Sequence, residues 1–236
     1  MANSYFQFKK FTVYQDRCAM KVGTDSVLLG AMAPIEGANN ILDIGTGTGI
    51  IALMLAQRND TAKITSIEID KEASMQAVEN VVASPWENRI NIVTGDFNHY
   101  QFPQKFDSIV SNPPFFTEDL KCYDPLRNMA RHTDLLTFDA LLRGVHLLLL
   151  DTGLFTVIIP SSQVQSFVDT AYVYELYLSS QITIYSKPQK VSKRSILVFS
   201  ATKQPLLQEA FVIHSDYGTY TDEFKVLMHD FYLRLV

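Results

Sequence analysis

Cysteine is nearly absent from this chain. Its 236 residues hold two, Cys18 and Cys122, in no CxxC pair and at no metal-ligand spacing. This excludes a disulfide framework and a cysteine-rich metal site, and two lone thiols suit a reducing cytoplasm. Long apolar runs are missing as well. The greasiest stretch, Leu147 to Leu150, is flanked by Arg143, His146 and Asp151. It is too short to cross a bilayer and reads as the end of a core helix. The opening MANSYFQFKK has no apolar region behind its basic residues, so no secretory signal is expected. Repeats, low-complexity tracts and linkers are not seen. An excess of positive charge is also lacking. The formal net charge is −5, which by itself argues against a generic nucleic-acid binder. What is present is 47% hydrophobic and 19% charged residues, the balance of a globular protein with a core of its own.

From about residue 39 to 202 strand and helix patterns alternate. NNILDIG, AKITSIEID, INIVTGD, FDSIVSN and GLFTVIIP read as strands. GIIALMLAQR, KEASMQAVENVVAS, LTFDALLRGVHLLLL and SSQVQSFVDTAY read as helices, with Thr137 and Ser161 or Ser162 as caps. Crossovers of this length give a mostly parallel sheet covered on both faces. LSSQITIYS and RSILVFSAT have no helix between them, which implies an antiparallel strand at one edge. The tail from Phe211 reads as a strand and a helix. One domain, 1–236, is expected, with a covering segment (1–38), a core (39–202) and a C-terminal strand and helix packed on it (203–236).

The chemistry gathers at the strand ends. LDIGTGTGI places Gly45, Gly47 and Gly49 at the first strand-to-helix turn, where the backbone can turn tightly and approach a ligand. Asp43 before them is awkward for a pyrophosphate but suits an ammonium. That points to a ligand with a nucleoside end and an amino-acid end, such as S-adenosylmethionine. Glu68 ends the second strand where an acid meets ribose hydroxyls, and Asp70 serves as a possible helix cap. Asp96 and Phe97 end the third, set for an adenine amino group and ring. SNPPFF ends the fourth. Its prolines stiffen the exit and push Asn112 out of the helical region. The Asn112 side-chain oxygen and the Pro113 carbonyl can accept the two hydrogens of an amine attacking a methyl sulfonium, while Pro114 holds Phe115 to stack on a flipped base.

DIGTGTG with NPPF resembles the class I methyltransferases that modify amino groups. FKKFTVYQDRCAMKVGTDSVLLGA, SPW and ARHTDLL add a closer resemblance to the bacterial tRNA1(Val) adenine-N6 methyltransferase family, running from about Phe8 to Val236. The resemblance implies a Rossmann-like domain with a seven-stranded sheet, S-adenosylmethionine as methyl donor, and tRNA as substrate, methylated at the adenine 3′ of the anticodon. It also implies that Lys21, Thr24 and Asp25 of KVGTD fold over the cofactor's methionine end. Thr24 and Asp25 equally suit the N-cap of the next helix. Arg127, Arg131 and His132, in a polar loop after NPPF, are candidates for phosphate contacts. With Lys193 and Arg194 of KPQKVSKR, far along the chain from the glycine loop, they form an expected basic rim. His132 has no partners at ligand spacing, so no metal is expected. NPPF and the glycine loop alone leave protein glutamine and guanine N2 open as other target amines, and a non-catalytic nucleotide-binding module remains a further alternative.

Overall fold

The computed structural model describes residues 3–18, 20–114 and 136–235. In chain order its elements are β1 (Tyr5–Gln7), β2 (Thr12–Tyr14), α1 (Thr24–Met32), β3 (Asn40–Ile44), α2 (Ile50–Arg58), β4 (Lys63–Glu68), α3 (Lys71–Val82) and β5 (Ile90–Thr94). There follow β6 (Phe106–Ser111), α4 (Phe138–Leu148), β7 (Leu149–Pro160), α5 (Val164–Val173), β8 (Tyr177–Tyr185), β9 (Arg194–Ser200), β10 (Leu207–Val212) and α6 (Asp222–Met228).

Strands β3 to β10 form one sheet of eight in the order β10-β8-β9-β7-β6-β3-β4-β5. Their residues alternate between two cores, as a strand's two-residue period requires. Ile41, Val110, Ile158 and Ile196 face the first core, shared with α1, α2, α6 and the N-terminal hairpin β1–β2. Leu42, Ile109, Val157 and Leu197 face the second, under α4 and α5. Because both faces are covered, the strands read in sequence as continuous apolar runs.

Four expectations need correction. The sheet has eight strands rather than seven, since β10 from the tail joins it in parallel beside β8. The antiparallel strand is β9, and it lies inside the sheet, antiparallel to both β7 and β8. The hairpin from β8 folds β9 back into the gap beside β7, leaving the edge to β10. Leu149 and Leu150 belong to β7 and not to the preceding helix, because Leu149 pairs with Phe106 across the sheet. Ser161 also caps no helix. A 3-10 turn over Ser161–Gln163 precedes α5, and the Ser161 hydroxyl bonds those of Ser192 and Ser195. Thr137 does cap α4, accepting from Ala140 N at 3.1 Å.

Candidate active site

The carboxyl ends of β3, β4, β5 and β6 open on a crevice made of two adjoining cavities of about 330 and 260 Å³. Both are lined by Met20, Gly45, Gly47, Asn112 and Pro114, so these residues form the seam between them. The larger is the more polar of the two, walled by the glycine loop and by Lys21, Thr24, Asp25 and Ser26. The smaller is more apolar, with Ile44, Ile67, Ile69, Phe97 and Leu136 around Glu68 and Asp96.

The glycine loop hangs on β4: Gly45 N and Thr46 N both donate to the Ile67 carbonyl. Gly45 and Gly47 have φ of 74° and 54°. A Cβ on either would meet no atom within 4 Å, so the conformation and the open space in front of it are what glycine supplies here. The amide of Gly47 donates to Glu68 Oε2 at 2.8 Å, and that of Asp70 to Oε1 at 3.0 Å. Glu68 thus ties the loop to the end of β4, and each oxygen keeps lone-pair capacity for ribose hydroxyls. Asp70 caps α3 through Ala73 N at 2.7 Å.

Asp43 is in a different place from the one its sequence suggests. It is fully buried behind the loop, with Oδ2 accepting from Thr46 Oγ1 at 2.5 Å, and it does not line the crevice. Burial drives its carboxyl up to about 7, and the neighbouring Glu68 charge adds to the rise against the opposing Thr46 hydrogen bond. Asp96 Oδ1 accepts from Asn98 N at 2.9 Å, which makes a tight turn. Phe97 lines the smaller cavity but is mainly core. Gly144 of α4 is what admits it, since a Cβ there would fall 2.4 Å from the Phe97 ring. Cys18 also borders this cavity; burial first, then the Glu68 charge, raises its thiol to about 11, so it stays protonated and unreactive near neutrality.

Asn112 stands at the seam. Its Nδ2 donates to Ser26 Oγ at 2.9 Å, which fixes the amide and leaves Oδ1 for another partner. Ser111 Oγ donates to the Ile44 carbonyl and locks the end of β6 against β3. Phe115, Arg127, Arg131 and His132 lie outside the described residues.

The N-terminal segment reaches the crevice through hooks that sequence reasoning missed. Asn80 of α3 is fully buried; its Oδ1 accepts from Tyr14 N, and its Nδ2 donates to the carbonyls of Tyr14 and Thr48. Gln76 accepts from Arg17 N, and Gln15 accepts from Val22 N. Lys21 donates its ammonium to the Gln15 carbonyl. The signal was legible: Gln76 and Asn80 interrupt the apolar stripe of an amphipathic helix. Thr24 and Asp25 open α1 after Gly23 and make no side-chain cap, which removes the N-cap reading. Asp25 Oδ2 instead accepts from Arg194 Nε at 2.6 Å. Arg194 therefore lines the crevice itself, where a place on its rim was expected. Lys193 is exposed beside it.

Similarity to known proteins agrees with this geometry. Residues 18–136 match the model of the methyltransferase small domain. A tRNA1(Val) (adenine(37)-N6)-methyltransferase of Bacteroides thetaiotaomicron is 49% identical over 236 residues, covering all of both chains. One of Pectobacterium carotovorum is 42% identical over 97% of this chain and 93% of its own. The chain belongs to the tRNA1(Val) (adenine(37)-N6)-methyltransferase family. Solved structures carry the same fold at low identity. A predicted O-methyltransferase from Agrobacterium tumefaciens superposes with a TM-score of 0.68 at 17% identity, over 88% of this chain and 96% of that one. A TehB-like SAM-dependent methyltransferase from Corynebacterium glutamicum gives 0.52 at 20%, over 77% and 89%. Membership in the family makes the chain a methyltransferase with the Rossmann-like class I fold.

Proposed function

We propose that this protein transfers a methyl group from S-adenosylmethionine to N6 of the adenine at position 37 of tRNA1(Val). The observation that carries the reading is Asn112 at the seam of two chemically different cavities, with Nδ2 held by Ser26 and Oδ1 left over. The residues present fit the cofactor. The smaller cavity offers apolar side chains for an adenine, with Glu68 for the ribose and Asp96 for the exocyclic amine. The larger offers the backbone of Gly45 and Gly47 with Lys21, Thr24 and Asp25 for an amino-acid end. Asp43 and Gly49 act one layer behind, by holding the loop. When bound, S-adenosylmethionine supplies a methyl group on a positively charged sulfur, which needs no strong base to activate its acceptor.

The chain's own part is positioning. Asn112 Oδ1 and the Pro113 carbonyl accept the two hydrogens of the adenine amine and turn its lone pair into the crevice. Pro113 and Pro114 keep both acceptors where they are, because neither residue can relax its φ. Phe115 stacks on the extruded base. Lys193, Arg194, Arg127, Arg131 and His132 meet the tRNA phosphates. No group of three or more metal-ligating side chains occurs among the described residues, and no described helix is long and apolar enough to cross a membrane. A tRNA substrate places the work in the cytoplasm, and the 236 residues act as one domain.

The test is transfer of a tritiated methyl group to total tRNA from a strain lacking the gene, followed by nucleoside analysis. N6-methyladenosine confined to tRNA1(Val) is the expected result. Label in guanosine or in protein would overturn the assignment.

A further inference from the structure

A third cavity, of about 290 Å³, opens beside the crevice on the same edge of the sheet. It lies between α1, the ends of β8 and β9, and the tail from Ile213 to Tyr232, and it shares Thr24, Asp25 and Arg194 with the polar half of the crevice. Nothing in the methyl-transfer chemistry uses it. We propose that it seats a second unstacked base of the RNA substrate, from the same loop as the methylated adenine. This rests on the tRNA reading above and specifies where that RNA goes after the target base.

Its walls suit a nucleobase. His214, Tyr220 and Phe224 form a column of rings: Tyr220 lies 4.9 Å and 24° from His214, and 4.4 Å and 17° from Phe224. Phe224 is buried in the core, so the open end of the column is His214. Aromatic faces of this kind hold bases splayed from single strands. His214 is also oriented. Its Nδ1 lies 3.2 Å from the Ser186 carbonyl, and a carbonyl only accepts, so Nδ1 carries the proton and the bond holds the ring plane on which a base would stack. Ile184 and the strongly exposed Val191 supply apolar sides. The volume sits at the lower end for ligand pockets, suiting one flat ring system rather than an extended molecule.

The rim suits phosphates. Lys193 and Arg194 line the cavity. Asp25, the acid lining the cavity, is matched to Arg194. A strand passing from the Asn112 seam to His214 crosses this ion pair beside the exposed Lys193, whose ammonium is the cation that meets the backbone between the two bases. An acidic peptide would find the cations but would leave the ring column unused.

The experiment uses hairpins of the tRNA anticodon stem-loop with an abasic residue at each loop position in turn. Their affinities for the wild-type protein and for His214→Ala are measured by fluorescence anisotropy, with cofactor binding followed by calorimetry. One position other than the target is expected to cost about tenfold in the wild type and almost nothing in His214→Ala, since a lost stacking partner cannot be lost twice. Should His214→Ala fold poorly, Val191→Glu, at a surface position, places an anion in the mouth and is expected to erase the same position's effect. Equal costs in all proteins at every position would overturn the proposal. So would adenosine monophosphate binding in the cavity without any coupling to the hairpins, which would mark a small-molecule site. If the wild type neither binds nor methylates the intact hairpin, the tRNA reading itself fails and the pocket's assignment falls with it.

Discussion

The amide of Asn112 shows how much one side chain depends on its neighbour. An unconstrained amide rotates between two orientations that differ by exchanging a donor for an acceptor, and only one of them can accept from an amine. Ser26, on the first turn of α1, selects the orientation by taking Nδ2. Asn112→Ala should leave cofactor affinity nearly unchanged and lower single-turnover methylation by about a hundredfold, as loss of a preorganised contact does elsewhere. Ser26→Ala should lower it by a few-fold only, in the same direction; near-normal turnover in Asn112→Ala would remove that residue from the chemistry. Asp43 gives a pH prediction. Its carboxyl rises from 3.8 to about 7 on folding. Between those values the folded state keeps a proton that the unfolded state has lost, so stability falls as pH rises, and it levels off above about 7. Asp43→Asn should abolish that fall while still accepting from Thr46. Urea unfolding at about pH 5 and about pH 8 reads the difference, and an unchanged slope would mean that the carboxyl titrates normally.

At the scale of elements, the N-terminal caps that form obey a local rule, although Thr24, Asp25 and Ser161 are of the same residue types and cap nothing. Asp70, Thr137 and Thr221 each accept from the amide three residues on, and serine, threonine or aspartate at that place is a readable signal. The C-terminal ends of α1 and α2 are closed from elsewhere: Arg89 donates to the carbonyls of Ala56 in the last turn of α2 and of Asn59 and Ala62 beyond it, and Arg58 to those of Gly30 in the last turn of α1 and of Ala33 beyond it. Nothing local marks either arginine for that role. Gly30 is similar. A lone glycine in a helix reads as a weakness worth about 1 kcal/mol against alanine. In the fold, an added Cβ would lie 2.9 Å from Met54 Cβ and Sδ, so α1 and α2 approach closely only because Gly30 is there. Gly30→Ala should destabilise the protein, overpacking of roughly 1–3 kcal/mol outweighing the propensity gain. In a Met54→Gly background, which removes both contacting atoms, the same change should lose most of its cost. Urea unfolding of the four proteins decides it; a stabilised single variant would show that the helices part without strain.

For the whole molecule, net charge misleads. The chain is acidic, yet Lys187, Lys190, Lys193 and Arg194 arrive together at the carboxyl edge of the sheet. They do so because β9 runs opposite to its neighbours, which brings its first residue, Arg194, level with Pro160 and Ile184 at the ends of β7 and β8. Affinity for tRNA should therefore fall steeply with salt, by a log-log slope of about 0.7–0.9 per phosphate neutralised. Lys190→Glu with Lys193→Glu should flatten that slope and spare the cofactor. Reversing Arg194 is a poorer probe, since it sets two carboxylates face to face at Asp25 and should disturb both sites. A slope unchanged in the double variant would place the tRNA on another face.

Sequence alone determined the local parts: the alternation of strands and helices, the glycine loop between β3 and α2, the acids ending β4 and β5, and the rigid exit at Asn112. Each depends on backbone period, turn chemistry or fixed φ within a few residues, so the chain itself carries the record. Only the tertiary structure decided that Asp43 faces inward, that Asn80 clips the N-terminal segment to the loop, and that Arg194 meets Asp25 across 169 positions of chain. Those contacts depend on the order of eight strands and on the insertion of β9 against the direction of the rest. That order is set by burying two faces of one sheet at once, and no short stretch of sequence encodes it.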